Sequence, residues 1–472
     1  MTMLLAWLAP WLLGSGLWLL ADGRPRSPAA WAAALGGGWI VGMLLTSWLL
    51  AALAGVVSPR GCVLQLGPWV AAAGALLCAL ALWRRAPVAT GLQGRSRLAP
   101  WSRPLVALLA LLLLYHAWLV FGEASLRPLF AWDAWLVWSV KPKVWYLLDH
   151  WVPFVDTARW LADAGGGAYT DVAPFYPALL GRLQVWFASA AGCWCGPSFM
   201  VLWPSLWAAM LLAGYGQLRL LGVAALPAWV ATYALGSLPL LNTHAALPGY
   251  ADVWLGACFA LTLLCWLHWQ LRRDWRQLAL ALALGFSMPW IKLEGAVWLC
   301  LWLAVLGLGL VPARWRLRCV LGLLVLLAVG LAAGGFALPL PGLGLVHVSL
   351  DQVVVPEMSP FALDWHPVLP PLARVLWVLP NWHLLFYLAP LLVAWRWRAA
   401  WALPGVNLLG LCLLGGALFL LFLFTCTGAA VWAANYTSSA RLLLQWAPAL
   451  VFYLALLWSA RTTQPSQSRS MS

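Results

Sequence analysis

Long apolar stretches separated by short polar clusters fill most of this chain. They run at about 3–21, 33–57, 62–83, 104–122, 197–218, 224–241, 250–270, 277–291, 295–312, 319–340, 373–394, 401–424 and 441–460. Most reach the ~20 residues that an α-helix needs to cross a hydrocarbon core. The ten-residue alternation of a membrane β-barrel is absent. The pattern predicts an all-α polytopic membrane protein of about thirteen transmembrane helices, with the short 277–291 run leaning on its neighbours. Two segments are too polar to cross and too long to be turns, one from Glu123 to Gly196 and one from Pro341 to Leu372. Within the first, the moderately apolar stretch from Val172 to Ala190 carries Arg182 in its middle. Counting it as a crossing inverts every later loop, so it is expected to be an interfacial or re-entrant helix. Gly165, Gly166 and Gly167 mark the loop before it.

Composition agrees and narrows the class. Of 472 residues 64% are apolar and 8% charged, with mean hydropathy +0.88. Such a surface cannot be hydrated as a soluble enzyme, disordered regulator or fibrous protein requires. The net charge of +14 is no nucleic-acid footprint, because the basic residues sit in small clusters at the ends of apolar runs. With the N-terminus outside and the C-terminus inside, 18 of the 27 basic residues become cytoplasmic, as the positive-inside rule requires. They are Arg24, Arg26, Arg84, Arg85, Arg95, Arg97, Arg103, Arg219, Arg272, Arg273, Arg276, Arg314, Arg316, Arg318, Arg396, Arg398, Arg461 and Arg469. Only Asp22 and Asp274 join them, leaving 11 of the 13 acidic residues outside with both long loops. The expected location is a bacterial inner membrane, with a disordered cytoplasmic tail at 461–472. The first run lacks a basic leader, so no cleaved signal peptide is expected. Most of the ten cysteines lie in apolar runs as small hydrophobes. Cys193 and Cys195 are expected to stay unbridged. Most of the 38 tryptophans read as interfacial anchors, with Trp135 and Trp138 sharing one helical face at headgroup level.

Nucleotide-binding Gly-Lys-Ser and GxGxxG patterns and the HExxH zinc motif are missing. What remains are ionisable residues at the outer membrane boundary, a costly placement. Asp133, between Trp132 and Trp135, suits a general base on a hydroxyl; its rival reading is a pair with Arg127, Lys141 or Lys143. Asp252 lies at the outer end of the seventh run and Arg441 at the outer start of the last. Lys292 and Glu294 fall between the eighth and ninth. Lys292 and Arg441 together suit an anionic phosphate, the rival reading being snorkelling cations and an internal Lys–Glu pair. His116 and His268, alone in apolar runs, are expected to be satisfied core residues.

The motifs Trp132-Asp133-Ala134-Trp135, Asp171 to Pro177, Gly249-Tyr250-Ala251-Asp252, Ile291-Lys292-Leu293-Glu294-Gly295 and Ser438-Ser439-Ala440-Arg441 resemble GT-C polytopic glycosyltransferases. The type is that of the protein mannosyltransferases and aminoarabinose transferases (family 39-like). The resemblance covers about 104–460 and implies three parts. Residues 1–103 would be a three-helix addition, and 104–340 a seven-helix module with its outer loop at 123–196. After the second outer loop at 341–372, residues 373–460 would form a three-helix region. It further implies transfer of a sugar from a polyprenyl-phosphate donor in the membrane lipid to a hydroxyl of an envelope lipid, glycan or protein, with inversion. Asp133 would be the base, and Lys292 and Arg441 would hold the donor phosphate. Asp252, Glu294, Asp171, Tyr176, His244 and Lys141 would meet sugar or acceptor. Many such proteins carry a second acidic residue where Ala134 stands, so no metal ligand is assigned and a divalent cation stays an open option. The competing classes are a lipid or glycolipid transporter or flippase, and an O-antigen polymerase or ligase.

Overall fold

A computed structural model describes residues 2–22, 27–84, 98–162, 166–340, 343–356, 360–402 and 405–459. Arg24, Arg26, Arg85, Arg95, Arg97, Asp163, Gly165, Arg461, Arg469 and the 461–472 tail lie outside the described residues. The chain is 75% helical, and nine helices among the described residues are long and apolar enough to cross a membrane. It is an integral membrane protein by that measure.

The main helices are α1 (Thr2–Asp22), α2 (Pro28–Ala52), α3 (Cys62–Trp83), α4 (Arg103–Leu126), α5 (Val140–Leu148), α6 (Leu179–Ala191), α7 (Leu202–Leu220) and α8 (Ala225–Gly236). They continue with α9 (Pro239–Ala246), α10 (Asp252–Arg272), α11 (Trp275–Ile291), α12 (Gly295–Leu310), α13 (Ala313–Ala332), α14 (Leu385–Ala402), α15 (Val406–Cys426) and α16 (Ser439–Ser459). Local chemistry sets their ends. Ser27 accepts from the Ala30 amide and Pro28 opens α2. Arg273 turns left-handed at φ 56 and stops α10, and Asp274 then caps α11 by accepting from the Arg276 amide.

Four expected crossings take other forms. The 224–241 run is broken into α8 and α9 at Ser237–Leu238, where Pro239 lacks the amide that a continuous helix would use. Helices α11 and α12 are 17 and 16 residues long. The 373–394 run starts in a short π-helical turn, Arg374–Val378, before α14 begins. The 319–340 run also ends differently, leaving α13 for strand β1 (Phe336–Leu340). That strand opens an antiparallel sheet, β1-β2-β3-β4, with β2 (Gly344–Val348), β3 (Gln352–Val354) and β4 (Phe361–Ala362). The expected all-α class therefore needs this sheet added to it.

Helix α6 has 13 residues, too few to cross. Of the two expected forms, interfacial or re-entrant, its burial speaks against the first alone, with Leu183, Val185, Trp186 and Phe187 fully covered against α1, α2, α3 and α5. Trp138 is buried while Trp135 is 44% exposed. Residues 134–138 form a π-helical turn, whose wider winding separates i and i+3 residues, so the two do not share a face. Cys193 and Cys195 form a disulfide, against expectation: a turn between α6 and the next helix brings them together. Thr2 donates to the Ala190 carbonyl at 2.8 Å and Arg60 Nε to the Tyr146 carbonyl at 2.8 Å. The start of α1, the α2–α3 turn and the first long loop thus share one end of the bundle. Described arginines 219, 272, 273, 276, 314, 316, 318, 396 and 398 sit at the turns of the other end.

Candidate functional site

Five ionisable residues from separate parts of the chain meet at the loop end of the bundle. Asp252 occupies the first turn of α10, where a helix dipole favours an anion, and its side chain is fully buried. Its Oδ1 accepts from Lys292 Nζ at 2.8 Å and from Gln445 Nε2 at 2.7 Å. Its Oδ2 accepts from Arg441 Nε at 3.1 Å. Arg441 also gives Nη1 to Asp133 Oδ2 at 2.6 Å, and its guanidinium lies 4.1 Å from the centre of the Tyr250 ring. Lys292 completes the chain with Glu294 Oε1 at 3.0 Å. Buried charges are tolerated only when paired and hydrogen-bonded, and Asp252, the fully buried one, accepts three such bonds.

Two glycines let the backbone deliver these groups. Gly249, at φ 121, lies against Ala134, whose methyl a Cβ at 249 would strike. Ala134 is fully buried, so this packing explains why a second carboxylate does not follow Asp133. Gly295 turns so close to the Met288 carbonyl that any side chain would collide with it. That turn sets Lys292, in extended backbone at φ -157, behind Asp252 and leaves Glu294 beside it.

Two of the expected rival partners of Asp133, Arg127 and Lys141, bind elsewhere. Arg127 pairs with Glu123. Lys141 is buried and donates to the carbonyls of Ala173 (3.3 Å), Pro174 (2.7 Å) and Tyr176 (2.7 Å). Its Nζ stands 3.7 Å from Asp171 Oδ2, an ion pair without a hydrogen bond, while Asp171 Oδ1 accepts from the Ala173 amide. Burial dominates this pair: it pushes the Asp171 carboxyl up against the pull of Ala173 and Lys141, and pulls the Lys141 ammonium down despite Asp171. Lys141 and Asp171 therefore stand apart from the ionic centre, holding the loop that carries Tyr176. The Tyr176 phenol does feel that centre: burial first, then Glu294, push it up to about 12. Burial alone would lower the Lys292 ammonium, but Asp252 and Glu294 overcome it and hold it above its ordinary value.

An open cleft of about 600 Å³ lies beside the centre, lined among others by Phe130, Trp132, His244, Tyr250, Tyr436 and Arg441. The buried His244 packs edge-on against Tyr250, and its Nδ1 has no partner among the described residues. Lys292 is only 3% exposed and does not line the cleft. Of the two cations expected to hold a phosphate, only Arg441 lines the cleft among the described residues. A second, apolar groove of about 340 Å³ runs between α8, α14 and α16 past Tyr233, Leu388 and Val451. The segment 379–385 borders both cavities. It is tied to the α8–α9 break by Leu240 N to Asn381 O at 3.2 Å and by a His383–Ser237 carbonyl bond at 2.8 Å.

Sequence reasoning missed Gln445 and Trp298, whose indole donates to Gln445 Oε1 at 2.8 Å. Both are uncharged and lie inside apolar helices, so neither stands out at a run boundary. Among the described residues no group of three or more His, Cys, Asp and Glu side chains is arranged to hold a metal ion. His268 is buried and bonds Gln217 at 3.3 Å, the core role expected of it, whereas His116 packs on Tyr233 and is only partly buried. Compared with known proteins, the chain matches no family model, no curated protein and no solved structure.

Proposed function

We propose that this protein is an integral membrane glycosyltransferase that moves a sugar from a polyprenyl-phosphate donor to a hydroxyl acceptor of the cell envelope. The observation that carries the reading is the meeting of Asp133, Asp252, Lys292, Glu294 and Arg441 beside a mostly apolar cleft. A guanidinium has five N–H donors, and Arg441 spends two on Asp133 and Asp252, which leaves three for a phosphate. The polyprenyl tail would lie in the apolar groove that meets the cleft at 379–385. Asp133 would take the acceptor's proton as its oxygen bonds to the anomeric carbon. The bond from that carbon to the phosphate oxygen would break, its electron pair leaving with the phosphate, stabilised by Arg441. Lys292 and Gln445 would act by fixing Asp252, which in turn fixes Arg441. One displacement inverts the anomeric centre.

The reading puts the site on the outer face of a bacterial inner membrane, N-terminus out and C-terminus in. The arginine-rich opposite end supports this through the positive-inside rule, and so does the Cys193–Cys195 disulfide at the loop end of the bundle, since such bonds persist in oxidising compartments.

One feature favours a transporter: the break between α8 and α9, since broken helices build many transport sites. Its freed carbonyls are already taken, Gly236 by Trp207 and Asn242, Ser237 by His383. That weakens the rival. Membranes supplied with labelled polyprenyl-phosphate sugars separate the two readings. The transferase forms a new glycoside of inverted configuration, whereas unchanged labelled lipid appearing across the bilayer would sink the proposal.

A further inference from the structure

Arg441 is shared between two carboxylates that are held very differently. Asp252 is fully buried and anchored by Lys292 and Gln445 as well. Asp133 is 32% exposed, sits at the start of a π-helical turn without capping its backbone, and its carboxylate takes no other hydrogen bond among the described residues than that from Arg441. Only Asp133 is free to let go. The centre also carries an excess of negative charge, with Asp133, Asp252 and Glu294 set against Lys292 and Arg441. A phosphate arriving in the cleft adds another anion at Arg441, the only cation among the described residues that line it, and like charges so close repel. The Tyr250 ring against the guanidinium keeps Arg441 in place while its Nη partners exchange.

We infer that the donor phosphate takes Arg441 Nη1 from Asp133, so that the carboxylate is released as a base only when a donor is bound. Asp133 is then both a competitor for the phosphate site and the group that the phosphate activates. In the empty site the pair ties up Asp133 Oδ2. This rests on the glycosyltransferase reading and adds to it the order of events.

The test is binding, not turnover. Undecaprenyl phosphate is titrated into the purified protein in nanodiscs, with tryptophan fluorescence as readout. Asp133→Asn, repeated with Asp133→Ala because an amide oxygen still accepts from Arg441, is compared with Glu294→Gln. Both remove one negative charge, but Glu294 bonds Lys292 rather than Arg441. The clamp predicts about three- to tenfold tighter binding for the Asp133 variants, the worth of a partly exposed ion pair. Glu294→Gln should change affinity by less than about twofold on the same scale. Equal affinity in wild type and both Asp133 variants overturns the exchange, and so does an equal gain in Glu294→Gln. Absence of any binding by the wild type overturns instead the donor reading on which the exchange rests.

Discussion

Two buried Lys–Asp pairs lie in the same half of this protein and do different work. Lys141 spends its donors on three carbonyls of one loop and faces Asp171 at 3.7 Å. Nothing is left over. Lys292 and Asp252 belong instead to a chain of charges that ends at Arg441, which has unspent donors and lines a cleft. A buried ion pair by itself is weak evidence of function, since it often stabilises no more than a hydrophobic pair would. What separates the two sites is spare hydrogen-bonding capacity facing an open cavity.

Variants can sharpen this contrast. Arg441→Met removes both the cleft-facing cation and the tether of Asp133, and should cost about 10²–10³ in transfer rate, the scale of one electrostatic donor. Lys292→Met takes one of the two cations from the buried Asp252 carboxylate and should lower unfolding free energy by about 3 kcal/mol, the lower end for one-sided removal of a buried pair. Lys141→Met should show a similar loss by thermal unfolding in detergent. The double neutral variants then part ways. Lys141→Met with Asp171→Leu should regain much of the lost stability, whereas Lys292→Met with Asp252→Leu should regain stability but not transfer, because Arg441 has lost its anchor. Recovery of transfer in the second double variant would erase the distinction between the sites. Gln445→Leu should cost about 1.5–3 kcal/mol, the worth of a hydrogen bond to a charge. Cys193→Ser should have the smallest effect, about 1–2 kcal/mol for so short a loop, read as a shift in unfolding temperature.

The membrane architecture was legible because each crossing declares itself locally, as a run of apolar residues between polar ends. The breaks were less so. Pro239 flags the α8–α9 interruption only in hindsight, since proline is tolerated inside helices elsewhere here, as at Pro10 and Pro448. The members of the ionic centre were also legible one by one, since Asp133, Asp252, Lys292, Glu294 and Arg441 all stand at run boundaries, where a charge is costly. Their wiring was not. Asp133 and Arg441 are 308 residues apart, and no local pattern distinguishes that pairing from one with Arg127. Nor does any local pattern separate a cation at the cleft from one behind a carboxylate, so Lys292 looked equivalent to Arg441. Gln445 escaped because an amide within an apolar helix resembles any tolerated polar residue. The role of Ala134 became clear only through its contact with Gly249.

The most direct measurement of the central claim is sugar transfer by membranes holding wild type or Asp133→Asn at equal expression, with labelled polyprenyl-phosphate sugars and native acceptors. Asp133 as general base predicts transfer by the wild type and a drop of about 10²–10⁴ in the variant. Equal transfer by both would contradict that role for Asp133.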